Sequence, residues 1–278
     1  MMSGVSPLEE IDIQTDAFIE FYDELPLWSA PFGLRMLDRV PMRAGQTVLD
    51  VGAGTGFLSI ELAQRCGPTS RVIAVDPWAP AARRLRRRVA HLGLANVEVV
   101  ERDAAAVDLP GESIDLIVSN LGVNNFENAD EVLRNCHRMA KPGAHLLLTT
   151  NLSGHMHEFY EVLRATLIEL GQDDRLTALD LHIAHRGTFE SVSERVATAG
   201  FTLHDPVRGG FRTRFADGTA LLRHAFIRMG FVPAWKSIFR DGTSESSMAR
   251  LEANLNEVAR RRGELALTIP LACIEGRK

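Results

Sequence analysis

From Val48 to Asn151 short apolar runs alternate with longer stretches whose apolar residues recur three and four positions apart. Val48-Leu49-Asp50-Val51, Arg71-Val72-Ile73-Ala74-Val75-Asp76, Val97-Glu98-Val99-Val100, the run Ser113–Asn120 and the run Ala144–Asn151 have the length and the β-branched content of buried strands. Phe57 to Arg65, the arginine-bearing segment after Asp76, and Ala129 to Met139 have helical spacing. Strand and helix in strict alternation predict an α/β chain built on a parallel sheet.

The flanking regions are less regular. Residues 1–44 mix apolar and acidic positions, and their prolines divide them into a short helix, a joint at Leu25-Pro26-Leu27, and a second helix from about Phe32 to Val40. This arm reads either as aromatics packed on the sheet or as a lid carrying Tyr22 and Trp28 to a substrate. After Asn151 the pattern predicts a helix holding Phe159, Leu163 and Leu167, the segment Leu179–Arg186, a helix Phe189–Ala199, and a short strand at Phe201-Thr202-Leu203-His204. A last strand is expected at Leu265–Ile274, weakened by Pro270. Residues 209–262, with Phe215, Phe226, Phe231, Trp235 and Phe239, read as a helical insertion of two helices and a joint, able to act as a substrate cap.

The chemistry concentrates at Gly52, Gly54 and Gly56, set between a strand and a helix. Glycines there let the backbone turn sharply and let a ligand approach bare main chain, and the helix N-terminus offers unpaired N–H groups. The spacing is neither the G-x-G-x-x-G of dinucleotide sites nor a loop ending in Gly-Lys-Ser/Thr. An ordinary strand-to-helix turn is the plain alternative.

The segment Asp50-Val51-Gly52-Ala53-Gly54-Thr55-Gly56 resembles the first motif of the class I S-adenosylmethionine-dependent methyltransferases. Asp76 at the end of the second strand, Asp103 just after the third, and Pro142-Gly143 before the fifth follow in the same order, so the resemblance spans residues 45–151. It implies a seven-stranded doubly wound sheet in the order 3-2-1-4-5-7-6 with strand 7 antiparallel, an N-terminal helical arm, and an insertion between strands 6 and 7. The corresponding parts are an arm at 1–44, a methyltransferase core at 45–208, the insertion at 209–262, and a final core strand at 263–278.

The resemblance implies S-adenosylmethionine as cofactor, held by Asp50, Gly52, Ala53, Gly54, Thr55, Gly56, Asp76, Pro77, Trp78, Asp103, Ala104, Ser119 and Asn120. An acid at the end of a second strand suits a ribose diol, and Asp103 stands where the family meets the adenine amine. Ligands of open α/β sheets lie beyond the carboxyl ends of the strands, which makes Asn124, Asn125 and Asn151 acceptor-binding candidates together with Tyr22, Trp28 and Phe215. His155, His157 and Tyr160, directly after the fifth strand, are the candidates for proton removal. The expected reaction is methyl transfer to a small, partly apolar acceptor. A protein or peptide side-chain methyltransferase and a non-catalytic cofactor-binding protein are the alternatives. Ser119-Asn120-Leu121-Gly122 stands where many amide and nucleobase methylases carry Asn-Pro-Pro-Tyr, which weighs against those targets.

Composition trims this picture without changing it. With 278 residues and 45% hydrophobic content the chain can bury a large core, and a net charge of -5 argues against a general nucleic-acid binder. Small-molecule acceptors, and a second copy of the chain in a homodimer, are the expected partners. Cys66, Cys136 and Cys273 lack metal spacing and are odd in number, which points to a reducing, cytoplasmic setting. No apolar run approaches the roughly 18 residues of a membrane span. His155-x-His157 and His182-x-x-His185 admit a metal reading, but no cysteine or paired acid joins them, so no metal is expected.

Overall fold

The computed structural model describes residue 12, residues 14–23 and residues 28–278. Leu25, Pro26 and Leu27 of the expected joint, and the side chain of Tyr22, lie outside the described residues. The chain divides into two compact units. A sheet unit comprises Gln14–Asn151, Gly187–Gly209 and Leu271–Lys278, and a helical unit comprises, among the described residues, Asp12, Leu152–Arg186 and Gly210–Pro270.

In the sheet unit, helices α1 (Asp16–Asp23) and α2 (Ala30–Leu37) precede β1 (Thr47–Val51), α3 (Phe57–Arg65), β2 (Arg71–Val75), α4 (Ala79–Leu92), β3 (Val97–Val100), β4 (Ile114–Asn120), α5 (Ala129–Met139) and β5 (Ala140–Asn151). Helices α6 (His157–Glu169) and α7 (Leu176–Ala184) follow, then α8 (Phe189–Thr198), β6 (Thr202–Leu203) and β7 (Val207–Phe215). The chain closes with α9 (Gly218–Arg223), α10 (Ala225–Gly230), α11 (Val232–Ile238), α12 (Ser244–Arg262) and β8 (Leu265–Arg277). The strand order is β3-β2-β1-β4-β5-β8-β6, with β7 paired to β8. Neighbours from β3 to β5 are parallel, and β8 is antiparallel to β5 and β6.

This is the expected order with one strand added. Residues 209–215 extend β7 and are not helical, because Phe211, Thr213 and Phe215 alternate with the exposed Arg212 and Arg214, the period of a strand with one covered face. The remainder of the insertion holds four helices, three of them short, where two were expected. Asp217 starts the first by accepting the Ala220 N–H at 2.7 Å. Nor does the Pro142-Gly143 stop precede β5. It lies inside the strand as an irregularity, with Ile114 opposite Ala140 and Leu116 opposite His145. Pro270 is tolerated in β8 because it stands just past the last pair with β5, Asn151 with Leu271.

The central strands are apolar on both faces because helices cover both. Met36, Leu37, Leu58 and Leu62 of α2 and α3 close over Val48, Val72, Leu116 and Leu147. Phe32 is fully buried in the sheet unit, so this part of the arm is core. Arg83, Arg86 and Arg87 of α4 stay about half exposed yet are engaged: Arg83 pairs with Asp16 and Arg87 with Glu20, both on α1, and Arg86 pairs with Glu101. The helical unit has its own core of Phe159, Leu163, Leu167, Leu221, Trp235, Leu251 and Leu255. Phe159 stacks on Trp235 at 3.9 Å between ring centroids.

Candidate functional site

Leaving β1, the chain turns because Gly52, Gly54 and Gly56 take φ values of +77°, +54° and +92°, all in the left-handed region. Gly52 and Ala53 donate their N–H groups to Val75 O at 2.9 and 3.0 Å, which ties the turn to the end of β2. A Cβ at Gly52 would come within 3.0 Å of the Gly122 Cα, so two backbones meet here that side chains would hold apart. At Gly54 a Cβ would meet nothing within 4 Å, which leaves the middle of the loop open to a ligand.

Asp76 fastens this loop. The Gly54 N–H donates to its Oδ2 at 2.7 Å and the Trp78 N–H to its Oδ1 at 2.8 Å. Burial pushes its carboxyl upward, and these two N–H groups oppose that shift. Each oxygen keeps a second lone pair for a ligand hydroxyl. Asp50 is more enclosed, only 1% exposed, and accepts the Ser59 Oγ–H at 2.5 Å. Burial first, and then the neighbouring Asp76 charge, push it up to about 7. Of the other loop residues Ala53 and Thr55 are buried and Pro77 is exposed. Arg88 donates to Thr55 O at 2.9 Å. Trp78 is half-buried, with the Phe18 ring of α1 at 6.4 Å.

Beyond β3, Asp103 is exposed and caps a short turn at Ala104–Ala106 by accepting the Ala105 N–H at 2.7 Å, while Ala104 is buried. Past β4, Ser119 Oγ donates to Val51 O at 2.7 Å. Asn120 donates to Ser29 O at 3.1 Å and accepts from Thr149 Oγ1 at 2.6 Å. Asn124 accepts from Thr150 Oγ1 at 2.5 Å and donates to Asn151 Oδ1 at 2.8 Å. The Nδ2 of Asn151 is buried without a hydrogen-bond partner. Asn125 is exposed, and Trp28 is half-buried beside Phe32. The structure therefore gathers the carboxyl ends of β1, β2, β4 and β5 into one polar cluster. Sequence reasoning missed Ser59, Thr149, Thr150 and the glycine at 122. The Thr149-Thr150 pair closing an apolar strand was the available signal.

His155, His157, Tyr160 and Phe215 belong to the helical unit. His155 is 5% exposed, its ring set edge-on to Tyr160 at 5.7 Å, and its Nδ1 has no partner. Burial, and then the charge of Arg186, push its imidazole down to about 3, so it is neutral at physiological pH and a weak proton acceptor. His157 is exposed, with Nδ1 3.3 Å from Gly154 O. The Tyr160 hydroxyl lies 3.1 Å from His182 Nε2 and accepts from Trp235 Nε1–H at 3.5 Å. Phe215 packs on His224. Among the described residues no group of three His, Cys, Asp or Glu side chains is placed to hold a metal ion.

Residues 48–143 match the family described as a methyltransferase domain. Over 113 residues the chain is 34% identical to the ubiquinone/menaquinone biosynthesis C-methyltransferase UbiE of Escherichia coli, a match covering 40% of this chain and 45% of that protein. The chain thus spans less than half the length of that relative. Among solved structures it is similar to a SAM-dependent methyltransferase from Aquifex aeolicus, with a TM-score of 0.54, 21% identity, and 71% of this chain and 93% of the other covered. The YcgJ protein from Bacillus subtilis gives a TM-score of 0.57 at 17% identity, covering 89% and 97%. These structural likenesses establish a Rossmann-like methyltransferase fold.

Proposed function

From a chain whose residues 48–143 match the methyltransferase-domain family, we propose a class I S-adenosylmethionine-dependent enzyme that moves a methyl group to a small, partly apolar acceptor. The observation that carries this reading is the Gly52–Gly56 loop, held in left-handed conformations and fastened by Asp76, with free space above Gly54. The residues fit the cofactor. The loop offers bare backbone, the Asp76 oxygens retain lone pairs for a diol, and Asp103 keeps one carboxylate oxygen unspent in its cap for an amine.

The cofactor supplies an electrophilic methyl group on a positively charged sulfur. The work left to this chain is orientation, since in-line displacement requires the acceptor atom about 3 to 3.5 Å from the methyl carbon, and exclusion of water. Asn124 and Asn151 are the groups we assign to acceptor binding, because the buried Asn151 Nδ2 is a donor without an acceptor. A small acceptor is supported by the similarity to a relative named as a quinone-biosynthesis C-methyltransferase.

Calorimetric titration with S-adenosylmethionine, and in parallel with NADH, tests the reading. Saturable binding of the first alone is the expected result, followed by transfer of labelled methyl to an acceptor. Binding of NADH alone would overturn it.

A further inference from the structure

Arg186 follows α7 and is half-buried, yet among the described residues it makes no hydrogen bond or ion pair. Its neighbours in the helical unit behave otherwise. Arg164 pairs with Asp180, Arg240 with Asp174 and Arg250 with Glu169, and Arg175 donates to Ile238 O at 2.6 Å. A guanidinium withdrawn from water and given no counter-charge has lost hydration without replacement. It stands four residues after His182, one helical turn on and just past the end of α7, and its charge acts on Tyr160, His155 and His182.

These neighbours have hydrogen-bonding capacity to spare. A neutral imidazole and a phenol together own two donors, and the 3.1 Å bond between Tyr160 and His182 spends one of them in either tautomer. Trp235 Nε1–H takes a lone pair of the phenol oxygen and leaves that count unchanged. One N–H or O–H of the pair is therefore left over, next to an unpaired guanidinium. The buried ring of His155, whose Nδ1 also lacks a partner, stands against Tyr160. Phe159, Phe231 and Trp235 extend the surroundings as an aromatic stack.

We propose that Arg186, Tyr160 and His182, with the ring of His155 as floor, form a binding site for the carboxylate of a small organic acid. A planar guanidinium matches a carboxylate with two parallel N–H···O bonds. One cation beside neutral donors suits a monoanion, whereas a phosphate dianion would keep a charge uncompensated. The aromatic surroundings favour a flat acid. The site lies within the helical unit, and its case as an anion site does not rest on the function proposed above.

The test is titration of the nitrogen-15-labelled full chain with benzoate, benzyl alcohol and inorganic phosphate, following the Arg186 Nε–H and Trp235 Nε1–H resonances. Benzoate is expected to shift both saturably, with the other two at least about tenfold weaker. Arg186→Gln removes the benzoate effect at Trp235, and Tyr160→Phe, which keeps the ring, weakens it. No saturable shift with benzoate, equal binding of benzyl alcohol, or unchanged benzoate affinity in Arg186→Gln would overturn the proposal. S-adenosylmethionine is titrated into the same samples. Arg186→Gln retains cofactor binding, and a wild-type chain that binds benzoate but no cofactor defeats the methyl-transfer reading while the anion site stands.

Discussion

Asp50 has a side chain whose position was legible in sequence and whose chemistry was not. The acid within the apolar run Val48–Val51 marked the strand end, but nothing local indicated that Ser59 on α3 and the charge of Asp76 would surround it. Its pKa is raised from 3.8 to about 7, so the folded chain holds a proton that the unfolded chain releases near pH 4. The stability tied to that proton is fully present below pH 3.8 and is lost as pH rises through about 7. Asp50→Asn keeps an acceptor for Ser59 and removes the titration. Denaturant unfolding should find the variant close to wild type near pH 4 and more stable at pH 8, by up to about 4 kcal/mol. Asp76 shows the same division. Its place at the end of β2 could be read directly, whereas its bonds to Gly54 and Trp78 depend on two strand ends meeting in space.

Among the elements, the parallel strands were the most legible, because a strand covered on both faces must be apolar throughout and five such runs stand out. β7 was missed, since its alternation is short and lies inside an aromatic-rich stretch that also contains helices. The tie between α1 and α4 was equally hidden. Arg83 and Arg87 are exposed, but they carry Asp16 and Glu20 with them. Pairs in open water contribute little to stability, so this tie bears on where α1 rests and not on whether the unit folds. The glycine loop is different, for its shape is imposed by backbone. Gly52→Ala puts a Cβ 3.0 Å from the Gly122 Cα at a φ of +77°. We expect a loss of roughly 1–3 kcal/mol in denaturant unfolding, and a larger proportional loss of cofactor affinity by calorimetry, because the loop cannot shift without moving the end of β4.

For the molecule as a whole, the chain crosses between its two units before Gln14 and again after Asn151, Arg186, Gly209 and Pro270, so neither is a contiguous stretch of sequence. Even within one segment legibility was partial: Tyr160 and His182 meet across 22 residues of the helical unit, and no spacing rule joins them. Proton linkage is likewise counted over the whole protein when a charged ligand binds. S-adenosylmethionine carries a sulfonium charge that its product, S-adenosylhomocysteine, lacks. With Asp50 poised at about 7, a cation bound at the glycine loop as proposed should expel a proton to the buffer, and the neutral product should not. Calorimetry near pH 7 in buffers of different ionisation enthalpy should register that proton for the first ligand alone, and Asp50→Asn should abolish the difference. Under the proposed function, raising the pH should then strengthen the hold on fresh cofactor relative to spent product, so that one enclosed carboxyl would make turnover less prone to stalling on its own by-product in alkaline conditions.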